Sequence, residues 1–223
     1  MLNKKILVSG GSGVIGSSIC VKSAKYYDVC IGFNNSKKIA LDVLNKCNQI
    51  RKGKHEIICL ANLNEVINTN HNINNVDIFI HCAGFSDETK MSKIKVKQFQ
   101  NQIDISLYAL NNLSHKFIPH MIKNKFGRIL FISSIGCLEG GTRQAHYAAG
   151  KAAGNSLIRS FGKEYGQYGI TSNSLVVGLV KSPMLKKEIE DNSINSKLSK
   201  IPVKRMGPPE EIAHVCYMLC HEL

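Results

Sequence analysis

Lys5-Ile6-Leu7-Val8-Ser9-Gly10-Gly11-Ser12-Gly13-Val14-Ile15-Gly16 runs from an apolar stretch straight into a glycine-rich turn. Lys5–Ser9 reads as a first strand, and the stretch from about Val14 to Ala24 reads as the helix that follows. A strand that hands over to a helix through glycines is built to receive a phosphate. Glycine permits positive φ and close approach of the backbone, while the helix offers free N–H groups and the positive end of its dipole. Gly10, Ser12, Gly13, Val14, Ile15 and Gly16 are therefore the candidate cradle for a dinucleotide pyrophosphate. The plainer alternative is a tight turn with no ligand.

Outward from this turn, apolar runs alternate with helical segments. Asp28–Phe33 reads as a second strand, Ser36–Asn48 as a helix, and Glu56–Leu60 and Val76–His81 as two more strands. Ile103, Leu107, Leu110, Leu113, Phe117 and Met121 recur near helical spacing within one long helix around Gln98–Lys123. Arg128–Ser133 is a fifth strand, His146–Tyr165 a helix and Thr171–Val177 a sixth strand. This alternation predicts an α/β fold, a Rossmann-type doubly wound parallel sheet in three αβα layers. No repeat or linker interrupts residues 1–223, so a single domain is expected to carry the cofactor and catalytic sites together. The Asn-rich stretch Asn62–Asn75 predicts a short or irregular crossover.

In such sheets an acidic residue at the end of the second strand binds the ribose hydroxyls and repels a 2′-phosphate. Here Phe33 is followed by Asn34-Asn35-Ser36-Lys37-Lys38, without a carboxylate. Neutral donors and cations favour NADPH over NADH, with Asn34, Asn35, Ser36 and Lys37 as contacts. A solvated polar loop is the alternative.

Tyr147 and Lys151 stand four residues apart in a helical segment and so share one face. An ammonium beside a phenol favours the phenolate and is expected to lower a pKa that is ordinarily about 10. Such a Tyr is a usable proton donor or acceptor. Ser134 ends the apolar run Phe131-Ile132-Ser133-Ser134, and the carboxyl end of a strand is where these sheets bind ligands.

Several segments, in order, now carry a resemblance: Gly127–Ser134, Gln144–Ala153 with its Tyr147 and Lys151, Asn173–Val180 with Ser182-Pro183-Met184, and Arg205–Ala213. Nearly the whole chain resembles the classical short-chain dehydrogenase/reductase family, most closely its 3-oxoacyl-acyl-carrier-protein reductase type. The resemblance implies reduction of a carbonyl. Ser134 would hold the carbonyl oxygen, Tyr147 would protonate it, and Lys151 would bind the nicotinamide ribose and keep the Tyr pKa low. It implies further cofactor contacts at Asn62 and Leu63, at Cys82, Ala83 and Gly84, and at Gly178, Val180 and Ser182. It implies a 3-oxoacyl thioester as substrate, an acyl carrier protein as a candidate partner, and a homo-oligomer, dimer or tetramer. Lys123 and Lys125 are candidate carrier contacts.

Departures from the family pattern are specific. Val14 replaces the middle glycine, leaving the Gly10, Gly13 and Gly16 spacing of the extended branch. Asn62 replaces an Asp, His81-Cys82 replaces Asn-Asn, and Val177 replaces a Pro. Ser106 falls at the Asn of the family's catalytic tetrad, which there holds a water in a proton relay. Its shorter reach predicts slower proton supply or a relocated relay. After its last helix the sequence stops at Leu223, so the sheet is expected to lack the family's final strand.

Composition sets the outer bounds. The 223 residues, 43% hydrophobic and 20% charged, suit one globular core and exclude whole-chain disorder. No run approaches the roughly 18 apolar residues of a spanning helix, and no signal peptide pattern opens the chain. A soluble cytoplasmic protein without a membrane partner is expected. The eight cysteines, at 20, 30, 47, 59, 82, 137, 216 and 220, show no CxxC and no ligand spacing. They read as small core residues in a reducing compartment, with no metal site. The charge of +13 is scattered, as in Lys37-Lys38, Lys93-Lys95-Lys97 and Lys186-Lys187, with no aromatic interleaving, so nucleic acid is not the expected partner. Two readings from other classes stand beside the enzyme: a nucleotide-binding regulatory or scaffold protein without turnover, and a charge-driven nucleic-acid binder.

Overall fold

Runs of β-branched and apolar residues form six strands: β1 (Lys5–Ser9), β2 (Asp28–Phe33), β3 (Glu56–Cys59), β4 (Ile78–His81), β5 (Gly127–Ser134) and β6 (Ile170–Val177). The computed structural model describes residues 4–60, 73, 75–182, 185, 189–190, 192 and 194–221. All the strand pairs are parallel, in the order β3-β2-β1-β4-β5-β6. The winding reverses between β1 and β4, whose following helices pack on opposite faces, and the carboxyl edge at such a reversal is where these sheets bind ligands. Ser9 and His81 face each other in register at that point.

Strand pleating sends alternate residues to opposite faces, and both faces are covered. Ile6, Val8, Val29, Ile31, Ile78 and Ile80 belong to one core, beside Ile19 of α1 (Val14–Ser23), Val43 of α2 (Lys37–Ile50) and Cys216 of the helix Pro209–Cys220. Leu7, Cys30, Phe79, Ile129 and Phe131 belong to the other, beside α4 (Ala109–Lys123) and α6 (Ala145–Tyr165), with the one-turn α5 (Gly136–Glu139) between these two in the chain. Leu110, Leu113, Phe117 and Met121 of α4 are fully buried there, each stabilising by about 1.5–3 kcal/mol through lost apolar exposure. The three-layer doubly wound sheet is the fold expected from the sequence. Tyr26 stacks on Tyr217 at 4.5 Å, which fastens the Pro209–Cys220 helix to the end of α1.

The single long helix expected from Gln98 to Lys123 is not continuous. It is α3 (Val96–Ile103), one π-helical turn (Asp104–Tyr108) and then α4. Such a turn inserts a residue. Ile103 and Leu107 are only partly buried, the buried positions being Gln102 and Ser106 one residue earlier, and these polar residues leave no apolar signal. The π turn carries Ser106. Most of the Asn62–Asn75 crossover lies outside the described residues.

All eight cysteines are free thiols, but only five sit in the core as expected. Cys59 is exposed at the end of β3, and Cys82 and Cys137 are half-buried near strand ends. No helix among the described residues is long and apolar enough to cross a membrane.

Candidate active site

The glycine turn is shaped by what its backbone approaches. Gly10 has φ +69°, and a Cβ there would stand 2.8 Å from the Ala83 backbone. The β1 turn and the loop after β4 are therefore in van der Waals contact across the crevice. Gly13 N–H bonds the Gly10 carbonyl at 2.9 Å and Gly13 then leads into α1. The first turn of α1 has no acidic residue and no side-chain cap, so its N–H groups are open to an anion. Ser12, Val14 and Ile15 are partly exposed there, Gly13 is exposed and Gly16 is buried. Asn34, Asn35, Ser36 and Lys37 are all exposed at the carboxyl end of β2, on the same edge of the sheet.

The catalytic candidates gather at the end of β5. Tyr147 is hydrogen-bonded to the Ser134 side chain, and Ser134 Oγ accepts the Gly136 N–H at 3.3 Å. Lys151, buried one turn further along α6, donates from Nζ to the Ile132 carbonyl at 2.9 Å. It also lies 4.6 Å from the Phe131 ring centroid. A Cβ at Gly84 would stand 3.3 Å from Lys151 Nζ, so the β4 loop with Cys82, Ala83 and Gly84 converges on the same point. Val177 is in register with Ser134, which brings Gly178 and the segment through Val180 and Ser182 beside it. That segment is tied down by Val180 pairing with Gly207 and by the Gly207 N–H bond to Leu179. Asn62 and Leu63 lie outside the described residues.

Comparison with known proteins identifies the family and the fold. A family profile described as "Enoyl-(Acyl carrier protein) reductase", within the short-chain dehydrogenase/reductases, matches residues 60–223. A 3-oxoacyl-[acyl-carrier-protein] reductase of Rickettsia typhi is 34% identical over 218 residues, 97% of this chain and 88% of the relative. The chain belongs to the short-chain dehydrogenase/reductase family. In solved structures, a 3-oxoacyl-acyl-carrier-protein reductase from Agrobacterium tumefaciens with NADP bound superimposes with TM-score 0.88 at 23% identity, covering 98% of this chain and 88% of that one. A gluconate 5-dehydrogenase from Burkholderia cenocepacia, in complex with NADP and tartrate, does so with TM-score 0.86 at 19% identity, covering 97% and 88%. Two such different substrates on one backbone show that these likenesses speak to fold alone.

As a short-chain dehydrogenase/reductase the chain is an oxidoreductase, and two expectations about its site need correction. Burial pushes the Tyr147 phenol up rather than down, against the pull of the Ser134 hydrogen bond. Lys151 does not reverse this. Its Nζ is 5.8 Å from the Tyr147 ring centroid, and its own pKa falls to about 8 because burial disfavours the ammonium. Second, Lys123 and Lys125 lie just before β5, at the strand end opposite Ser134. Eight strand residues put them about 23 Å from the catalytic group, so they are not beside the substrate mouth.

Sequence reasoning also missed a polar web in front of Tyr147. His146 is fully buried, with Nε2 2.6 Å from Asp87 Oδ1. Asp87 Oδ2 accepts from Gln98 Nε2 at 2.7 Å, and the Thr89 N–H bonds the Arg143 carbonyl at 2.8 Å. These bonds pin the loop after β4 to α3 and to the start of α6. No motif marks them, since their residues are scattered over sixty positions. Ser106 is buried in the π turn with its hydroxyl unpartnered among the described residues.

Proposed function

We propose that residues 1–223 form one domain that holds NADPH and reduces the ketone of a 3-oxoacyl thioester. The observation that carries this reading is the Tyr147–Ser134 hydrogen bond at the end of β5, with Lys151 buried behind it. Gly10, Ser12, Gly13, Val14, Ile15 and Gly16 fit a pyrophosphate, because the positive φ of Gly10 turns the backbone into α1, whose first turn has no side-chain cap among the described residues. The cofactor, when bound, supplies hydride. Ser134 positions the carbonyl oxygen and Tyr147 donates the proton to it. A raised phenol pKa suits that direction, since the donor is protonated throughout the neutral range. Lys151, with Gly178, Val180 and Ser182 beside it, holds the ribose and nicotinamide end, and its charge favours the oxygen anion as it develops.

Support for NADPH comes from α2. Lys37 and Lys38 open this helix, whose first turn contains no acidic residue. Cations at a positive helix end are unfavourable until an anion is placed there, which a 2′-phosphate does. The name borne by the Rickettsia typhi relative supports a 3-oxoacyl group carried on an acyl carrier protein, and the basic balance of this chain suits an acidic partner. Its docking surface is the exposed rim of Lys90, Lys93, Lys95 and Lys97, joined to the start of α6 through Thr89 and Arg143. We place the enzyme in the cytoplasm as a homo-oligomer, with the exposed Tyr108 and Met218 offering apolar surface for association.

The test is NADPH consumption with a short 3-oxoacyl thioester, beside NADH and beside Tyr147→Phe. The rate should prefer NADPH and fall by about 10²–10⁴ in the variant, with NADPH binding retained. Tight NADPH binding without turnover of any carbonyl would replace this reading with a cofactor-sensing protein.

A further inference from the structure

The Ser106 hydroxyl has no partner among the described residues, so it does not anchor the turn that bears it. The turn is held from the sheet instead. His81, the last residue of β4, is fully buried, and its Nε2 lies 2.7 Å from the carbonyl oxygen of Ile105. Its Nδ1 lies 2.7 Å from Oγ of Ser9, the residue next to Gly10. A carbonyl only accepts, so Nε2 carries the hydrogen and Nδ1 accepts from the Ser9 hydroxyl. Ser9 Oγ in turn receives the Ala83 N–H at 3.4 Å. The imidazole lies nearly parallel to the Phe131 ring, 5.8 Å away, and Phe131 also lies against Lys151. One ring thus joins the glycine turn, the β4 loop and the π turn.

We propose that His81 is a positioning residue: by holding the Ile105 carbonyl it sets the π turn and the place of Ser106, and it couples that turn to the start of the glycine loop. The inference rests on the reading of Ser106 as part of the proton-handling site. Burial, with the nearby Lys151 charge, takes the His81 pKa down to about 3, so the ring stays neutral and keeps both hydrogen bonds at working pH.

Two variants separate positioning from bulk. His81→Leu fills the space without polar atoms, and His81→Gln retains a donor and an acceptor. In His81→Leu, kcat should fall about 10–100-fold, the cost of a small misplacement. KM and the NADPH Kd should move less than about threefold. His81→Gln should recover most of the rate. Ser106→Ala should lower kcat in the native background and add little in His81→Leu, the non-additivity expected of coupled residues. Amide hydrogen exchange should quicken over Asp104–Ala109 and not over α6. An unchanged kcat in folded His81→Leu, losses that multiply, or unaltered exchange at the turn would overturn the proposal. If the native protein reduces no carbonyl, the proposed function fails and the exchange measurement alone decides the tether. If His81→Leu does not fold, Ser9→Ala takes its place, because freeing Nδ1 lets the tautomer change. Faster exchange at the π turn then supports the tether, and unaltered exchange refutes it.

Discussion

At Gly10 the crevice is shaped by backbone: a positive φ, a contact with Ala83 that tolerates no side chain, and a helix end with open N–H groups. Across β4 it is shaped by side chains drawn from distant elements, with Ser134, Tyr147, Lys151, His81 and Ser106 coming from four separate segments. The first half is local chain geometry, and the second exists only after the sheet and α6 have packed. The two halves should therefore fail differently when perturbed.

The largest effect is expected on the packed side. Lys151→Met should cut turnover by about 10²–10³, the scale of losing one charged stabiliser, while making the free protein more stable near neutrality. The sign follows from the folded pKa of about 8 against an ordinary 10.5. Below about pH 8 both states carry the proton, and the folded state bears the full cost of the buried charge. Between 8 and 10.5 the unfolded state binds more protons, so native stability rises with pH. The variant lacks that rise, so its advantage in denaturant melts should shrink between pH 7 and pH 10. An advantage that grew would contradict the burial account.

On the backbone side, Gly10→Ala should cost about 1–3 kcal/mol from the left-handed φ and the Ala83 contact. Thermal melts should show that loss and titration a weaker NADPH affinity, whereas rate constants at saturating cofactor should change little. A variant that lost kcat instead would blur the division between the two halves.

A smaller effect tests how tightly α6 packs. A Cβ at Gly154 would stand 2.5 Å from the Phe131 ring and 3.1 Å from the Ser106 carbonyl. Gly154→Ala should destabilise by about 1–3 kcal/mol through overpacking, outweighing a helix-propensity gain of about 1 kcal/mol. Gly166→Ala, with nothing within 4 Å of its Cβ, is the control and should be near neutral. The smallest effect belongs to the rim. Lys93→Glu with Lys95→Glu should raise KM for a carrier-bound substrate by about a few-fold at low salt, and leave a small thioester unaffected.

How legible each half was follows the same division. The β1 and β2 bounds read from the sequence coincide with the structure, because short apolar runs closed by polar and turn residues admit few alternatives. Ser134, Tyr147 and Lys151 were legible as well, through helix periodicity and a strand end. The π turn was hidden because the positions buried beside it, Gln102 and Ser106, are polar and leave no mark in the apolar rhythm. The Tyr147 pKa was misjudged because a four-residue spacing reports a shared face and not the degree of burial. His81 and the Asp87–His146 pair had no local signature at all, since each partner is supplied by another element.

The sequence by itself determined the alternation of strands and helices, the glycine turn and the order of the candidate catalytic residues. These depend on side-chain pattern and backbone freedom along a few consecutive positions. Only the tertiary structure decided which groups lost water, that Lys151 lies buried behind Tyr147, and that His81 meets the Ile105 carbonyl. Burial and hydrogen bonding across the sheet arise between residues that the chain order keeps far apart.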